Sequence, residues 1–388
     1  MSLADDHDVL LRQFPILGQS GIYLNHAAMG PWPLATAQAV QRFAEENLLR
    51  GASDYRRWMQ LEDELHQQLA RLINAPSVDD IALCKNTSEG LSVVAQGLPW
   101  QADDEVVFAS CEFPSNRLPW QALSEYGVHT REVELDNDDP ESSLIAACNP
   151  RTRLLSVSAV QYADGLRMDL PRLAEHCRAH DILLCVDAIQ QVGALSLDVQ
   201  AIDCDFLIAD AHKWLLGPEG IALFYSRPQA RGQLRLRQHG WRMYDNPFYF
   251  ERRDWTPPDS ARRFEPGSPN MMGVFALAAS LRVLEEFGME AVGERLLRNQ
   301  RLLREGLAAL PGIKIISDPR DERHSGIVTF TLVDANTERR QNRLLQRHRA
   351  LTKAGVFGAL RSGAIRWSPH FYQPEEQMQR AIEQLANC

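Results

Sequence analysis

Runs of four or five apolar residues, each closed by turn formers, recur through the first two thirds of the chain. Ile182 to Val186 is apolar and ends in Asp187. Phe206 to Ala209 runs into Asp-Ala-His-Lys-Trp, which puts His212 and Lys213 at its tip, and Ile221 to Tyr225 follows a Gly-Pro-Glu-Gly turn. Short runs with no polar alternation predict strands covered on both faces, as in an α/β sheet. Residues 81–85, 105–110 and 153–160 read the same way, and 22–33 reads as a short strand breaking into a Gly/Pro loop. Helical spacing occupies 34–73, the stretch after Ser88, and 171–180, so strand and helix alternate as a largely parallel wound sheet requires. Beyond Tyr225 the pattern loosens. Residues 228–265 are rich in Arg, Trp, Tyr and Pro without clean periodicity, a length of irregular chain that is uncommon unless functional or packed on a partner. Helices resume from 271 to about 311. Strands at 313–317 and 326–332, a polar helix at 337–353, strands at 356–360 and 364–368 and a last helix predict a small α/β unit. The expected division is 1–20 as an N-terminal segment packing on the small domain, 21–270 as the large domain, and 271–388 as the small C-terminal domain.

Composition narrows the classes. The 388 residues are 45% hydrophobic and 24% charged, ordinary for a globular protein with ample cores. Lys and Arg number 41 against 51 Asp and Glu, and the net charge of −10 argues against non-specific nucleic-acid binding. Seven cysteines without C-x-x-C spacing point to reduced thiols. The acidic amino terminus lacks a signal-peptide profile, and no apolar stretch approaches the ~20 residues of a membrane span. A cytoplasmic protein without membrane contact is expected, and no metal centre.

The strand ends carry the chemistry. Open α/β sheets bind ligands at the carboxyl ends of their strands, and an acid and a lysine on such ends fit pyridoxal phosphate. The lysine amine condenses with the cofactor aldehyde to a Schiff base, and the aspartate keeps the ring nitrogen protonated so that the ring accepts electrons. An Asp ending a strand also serves as a turn former or cap, and a Lys in a turn is commonly solvated. It is the ordered combination of Asp187, His212 and Lys213 that favours the cofactor.

Val-Asp-Ala-Ile-Gln (186–190) and Ala-His-Lys-Trp-Leu-Leu-Gly-Pro-Glu-Gly (211–220) resemble the class V aminotransferases, which include the cysteine desulfurases and resemble kynureninase, within the fold-type I pyridoxal-phosphate enzymes. The resemblance implies a large wound, mostly parallel sheet domain that binds the cofactor, a small α/β C-terminal domain, an amino acid substrate, and a homodimer with shared active sites. It assigns Lys213 to the Schiff base, Asp187 to the ring nitrogen, Gln190 to the ring oxygen, and His212 to the phosphate. Thr87 and Ser88, at a helix start where the dipole favours an anion, become phosphate ligands; a plain helix cap is the other reading. Phe113 stacks on the ring where desulfurases carry histidine, or else is a core Phe. Tyr162 falls near the ring oxygen, where desulfurases have Asn. Ser268, in Gly-Ser-Pro-Asn, donates to the phosphate of the other subunit or simply starts a helix. Arg366, in Ile-Arg-Trp-Ser-Pro-His-Phe-Tyr-Gln (365–373), grips the substrate carboxylate, for which a guanidinium fork is matched. Asn25 and His26 lie near the entrance, as substrate neighbours or as a turn-forming Asn and a surface His.

The same resemblance limits the reaction. Desulfurases need a cysteine just before the Arg366 strand, and 355–364 has none. Asp210, where relatives have Ser or Thr, would repel a phosphate unless it points away or pairs with Arg or His. Transamination leads; kynureninase-like or Cβ–S lyase chemistry and epimerisation follow. A non-catalytic pyridoxal-binding protein, which would lack the lysine or the arginine, is a further class that these residues disfavour.

Overall fold

The computed structural model describes residues 7–388 except 137, 245–247, 249 and 252. Thirteen strands form among the described residues: β1 Ile22–Tyr23, β2 Ile81–Cys84, β3 Glu105–Ala109, β4 His129–Val133, β5 Thr152–Ser158, β6 Leu183–Asp187, β7 Phe206–Asp210, β8 Ala222–Ser226, β9 Ile313–Ile315, β10 Val328–Leu332, β11 Val356–Phe357, β12 Ala359–Arg361 and β13 Ala364–Trp367. Seven of them make one sheet, in the order β2-β8-β7-β6-β5-β3-β4. From β7 to β4 the neighbours are parallel; β8 runs antiparallel to β7 and to β2.

Period-two alternation explains why the central strands are apolar throughout. Leu155, Val157, Leu184, Val186, Leu207 and Ala209 enter the core on one face. Leu154, Cys185, Phe206 and Ile208 enter the core on the other. A strand covered on both sides cannot end inside the protein without polar satisfaction, so the first polar residues, Asp187 and Asp210, mark the carboxyl edge.

The small unit is a four-stranded antiparallel sheet, β12-β13-β10-β9, with its own core of Val328, Phe330, Ile365 and Trp367. Ile22 and Leu24 join that core, and β1 pairs in parallel with β11, so the chain visits the small unit before it builds the large one.

The structure refines the sequence expectation at three places. The helical stretch 34–73 is two helices, Leu34–Arg50 and Tyr55–Leu72, because Gly51 takes φ +55 and ends the first. Helix Met271–Phe287 packs against both of them and into the large core, since it is apolar nearly all round. At the N-terminus, the short helix His7–Gln13 stands on Phe14, which stacks on Tyr372 (3.9 Å between centroids) and meets Phe371 edge-on.

Candidate active site

The carboxyl edge of β6 and β7 opens on a cavity of about 200 Å³ lined by Ala27, Ala28, Asn86, Thr87, Ser88, Phe113, Ser115, Tyr162, Asp187, Ile189, Gln190, Asp210, His212, Lys213, Arg361 and Arg366. Nine of the twelve sequence-derived candidates meet there.

The lysine is held by its backbone. Residues 211–221 turn the chain from β7 into the antiparallel β8 without a crossover helix, which leaves Lys213 just beyond the strand end. Trp214 is fully buried, and its indole N–H donates to Gln190 Oε1 (2.8 Å). Its carbonyl accepts from His370 Nε2 (3.2 Å); the Phe371 amide donates to Nδ1 of that ring, which fixes the tautomer. Two glycines allow this packing. At Gly30 a Cβ would lie 2.1 Å from the Lys213 carbonyl oxygen, and at Gly193, with φ +90, one would lie 2.6 Å from the Trp214 backbone. No side chain fits at either position.

Burial sets the charges. Lys213 is 9% exposed, and desolvation pulls its amine down to about 8; the Asp187 carboxylate opposes this, and Arg366 and Arg361 add to it. Asp187 is pushed up to about 7, first by burial and further by Glu112, while the Ile189 amide and Lys213 pull the other way. Glu112 lies beneath it, wholly buried, accepting from the Ser158 amide (2.8 Å), the Ser158 hydroxyl and Gln161 Nε2 (2.9 Å). His212 Nδ1 lies 3.0 Å from Asp210 Oδ1, inside ion-pair range though outside hydrogen-bond geometry. Of the arrangements open to Asp210 in the sequence, its carboxylate faces a histidine ring.

The walls supply the remaining groups. Thr87 and Ser88 open helix Thr87–Gly97, capped by Asn86 through the Glu89 amide. Thr87 Oγ1 is buried without a partner, and the Ser88 hydroxyl donates to Ser115 Oγ (2.8 Å). Phe113 is 41% exposed, so it is no core residue; it meets Tyr162 edge-on at 5.1 Å and stands 5.7 Å from Lys213 Nζ. Arg366 is 1% exposed; one of its terminal nitrogens donates to the Tyr162 carbonyl oxygen (2.5 Å) and its Nε has no partner. Gln190 donates one amide hydrogen to the Ala27 carbonyl (3.0 Å) and keeps a second.

Three candidates are not brought to the cavity. His26 is fully enclosed, donating through Nδ1 to the Ser368 carbonyl (2.9 Å) and accepting the Tyr372 hydroxyl at Nε2 (2.6 Å). It is a lock between loop and small domain rather than a substrate neighbour. Asn25 pairs with Ser368 as an isolated bridge beside it, and Ala27 and Ala28 form the wall instead. Ser268 is exposed and borders a separate hollow with Glu62, Lys85 and Gly220, away from this chain's own cavity. Two residues were missed. Ser115 sits in the turn Pro114–Asn116, and Arg361 lies in 355–364, where hairpin register rather than residue type brings it to the cavity.

The donor set fits pyridoxal phosphate. An amine held partly neutral, a buried acid, a flat aromatic wall and an orphaned hydroxyl at a helix start are what its aldehyde, ring nitrogen, ring face and phosphate each require.

Comparison with known proteins agrees. The chain is 30% identical to a probable cysteine desulfurase of Methanothermobacter thermautotrophicus, with 96% of each covered. It is 28% identical to the uncharacterized aminotransferase YcbU of Bacillus subtilis, with 90% of each covered. Among solved structures, a complex of the cystine C–S lyase C-DES with cysteine persulfide superposes with a TM-score of 0.87 at 24% identity, covering 97% of this chain and 99% of the other. The cysteine desulfurase CsdA of Escherichia coli gives 0.85 at 22%, with 98% of each covered. These likenesses bear out the wound α/β fold with its small C-terminal unit. The model of the aminotransferase class-V family matches residues 22–380, and the chain belongs to that family.

Proposed function

We propose that the protein is a pyridoxal-phosphate-dependent enzyme acting on an α-amino acid, with transamination as its leading reaction. The observation that carries this reading is one cavity in which a buried lysine, a buried aspartate and a buried arginine, with no acidic partner among the described residues, converge. The bound cofactor would supply an electron sink for the bond broken at the substrate Cα. Lys213 would hold the cofactor aldehyde and, displaced by the incoming amine, carry the Cα proton; an amine titrating near 8 is partly neutral at working pH, as a general base requires. Asp187 would keep the ring nitrogen protonated. Thr87, Ser88 and His212 would hold the phosphate, Gln190 and Tyr162 the ring oxygen, and Phe113 would cover the ring face. Arg366 would fix the α-carboxylate, which orients the Cα bonds. The exposed Ser268 would complete the phosphate site of a second copy in a homodimer.

A Cβ–S lyase is the second reading, favoured by the likeness to C-DES. Formation of a persulfide on the enzyme is disfavoured, although relatives bear the desulfurase name. Among the described residues no cysteine lines the cavity, and burial holds the Cys84 thiol well above its ordinary value.

The test is the visible spectrum of the pure protein with pyridoxal phosphate as amino acids are added singly. A band that bleaches and returns with a keto acid supports transamination; a band that persists while pyruvate and sulfide accumulate supports the lyase. Lys213→Ala is expected to lose the band and at least ~1,000-fold in turnover. Retention of both would overturn the reading, and a monomer by sedimentation would withdraw the Ser268 role.

A further inference from the structure

The cavity holds two guanidinium groups, one exposed and one buried. In the antiparallel pair β12–β13, Ala359 stands opposite Arg366 and Arg361 opposite Ala364. Directly opposed residues share a sheet face, and so do residues two apart on one strand. Arg361, Ala364, Arg366 and Ala359 therefore form one face, with the arginines on its diagonal and the two alanines leaving room between them. The other face turns Ile365 and Trp367 into the small-domain core, with Leu360 packed against it. A tight turn, Ser362 at φ +48 and Gly363 at φ +74, holds Arg361 at the end of its strand. Arg361 is exposed on the cavity wall and Arg366 is buried in it. Arg361 donates to the Leu360 carbonyl (2.8 Å) and keeps its other donors. Neither guanidinium has a carboxylate within 4.0 Å among the described residues.

We infer that Arg361 is a specificity residue reading a second anionic group at the far end of the substrate side chain, so that the preferred substrate is a dicarboxylic amino acid. The inference rests on the proposed reading, in which Arg366 takes the α-carboxylate. Like charge links the sites: Arg361 lowers the proton affinity of both Arg366 and Lys213, and an anion between the arginines relieves that repulsion. In that reading Thr87 and Ser88, at the start of helix Thr87–Gly97, would hold the phosphate, which leaves the Arg361 fork for the substrate. A neutral side chain would leave that fork unmatched; a carboxylate meets it bidentately.

The experiment measures binding of unreactive acids to the pyridoxal-phosphate-loaded enzyme by calorimetry, succinate and glutarate against propionate and butyrate, in wild type and Arg361→Met. Wild type is expected to prefer the dicarboxylates by ~10–100-fold, the scale of one charge-assisted hydrogen-bonded pair. Arg361→Met should cut that preference at least tenfold, and Arg361→Lys should restore part of it. Absence of a dicarboxylate preference in wild type overturns the inference, as does an equal loss for both acid classes, which would mean that both arginines share one carboxylate. A variant that weakens pyridoxal phosphate but keeps the acid preference also overturns it, placing Arg361 on the phosphate. Each of these results leaves the visible band, and with it the cofactor reading, standing, whereas loss of the band in wild type removes the reading itself.

Discussion

Lys213 shows how one side chain takes its chemistry from its surroundings. An exposed lysine titrates near ~10.4. Here burial penalises the ammonium and the two arginines repel it, while Asp187 and, more weakly, Asp210 favour it. The rate of borohydride trapping of pyridoxal phosphate on Lys213 should therefore rise through a midpoint near pH 8. Asp187→Asn removes the favourable charge and should move that midpoint lower still. A midpoint close to that of free lysine would mean that the amine is solvated and the burial argument fails.

At the scale of elements, what could be read from sequence was whatever the core imposes. Both faces of β6 and β7 are buried, so their apolar runs and the acids that end them were plain. The edge strand β4 was invisible for the same reason: His129–Val133 lies exposed or half-buried, and a strand with one neighbour and little core contact has no apolar signature. The convergence of Arg361 on the cavity was equally hidden, because it depends on hairpin register and not on residue type. Residues 228–265 carry no clean periodicity, and their described part is irregular but for the short helices Pro228–Arg231 and Ala261–Phe264. It is pinned to the helix Tyr55–Leu72 by Arg242, whose guanidinium donates to both carboxylate oxygens of Glu62 (2.8 and 2.9 Å) with both side chains buried. Removing one member strands the other's charge, so Arg242→Ala and Glu62→Ala should each cost about 3–5 kcal/mol in urea unfolding. Replacing both with apolar residues of similar size should recover most of it. Single-variant losses within ~0.5 kcal/mol of wild type would show the pair to be solvated.

For the whole molecule, the joint between the N-terminal loop and the small domain is built on neutral histidines. Burial pulls His26 from 6.5 to about 4 and His370 well below its ordinary value. The unfolded chain therefore binds more protons than the native state in this window. Stability is full above pH 6.5 and falls as the pH drops from there toward 4, by about 1.4 kcal/mol per pH unit for each group. Melting temperature against pH should show this slope, and His26→Gln should make it shallower between pH 6 and 4.5. Equal slopes in the two proteins would remove His26 as a source of acid lability.

The closures around the cavity also join distant parts of the chain. The Gly30 amide donates to the His212 carbonyl (2.7 Å), and the His26 amide to that of Ser368 (3.2 Å). On the ribosome, domains generally fold as units from the N-terminal side. The large sheet can form once Ser226 has emerged, yet its mouth stays unfinished until the segment around Ser368 follows. A nascent chain thus carries Lys213 before it carries Arg361 and Arg366, and cofactor captured during synthesis would wait on a chain whose cavity is unfinished.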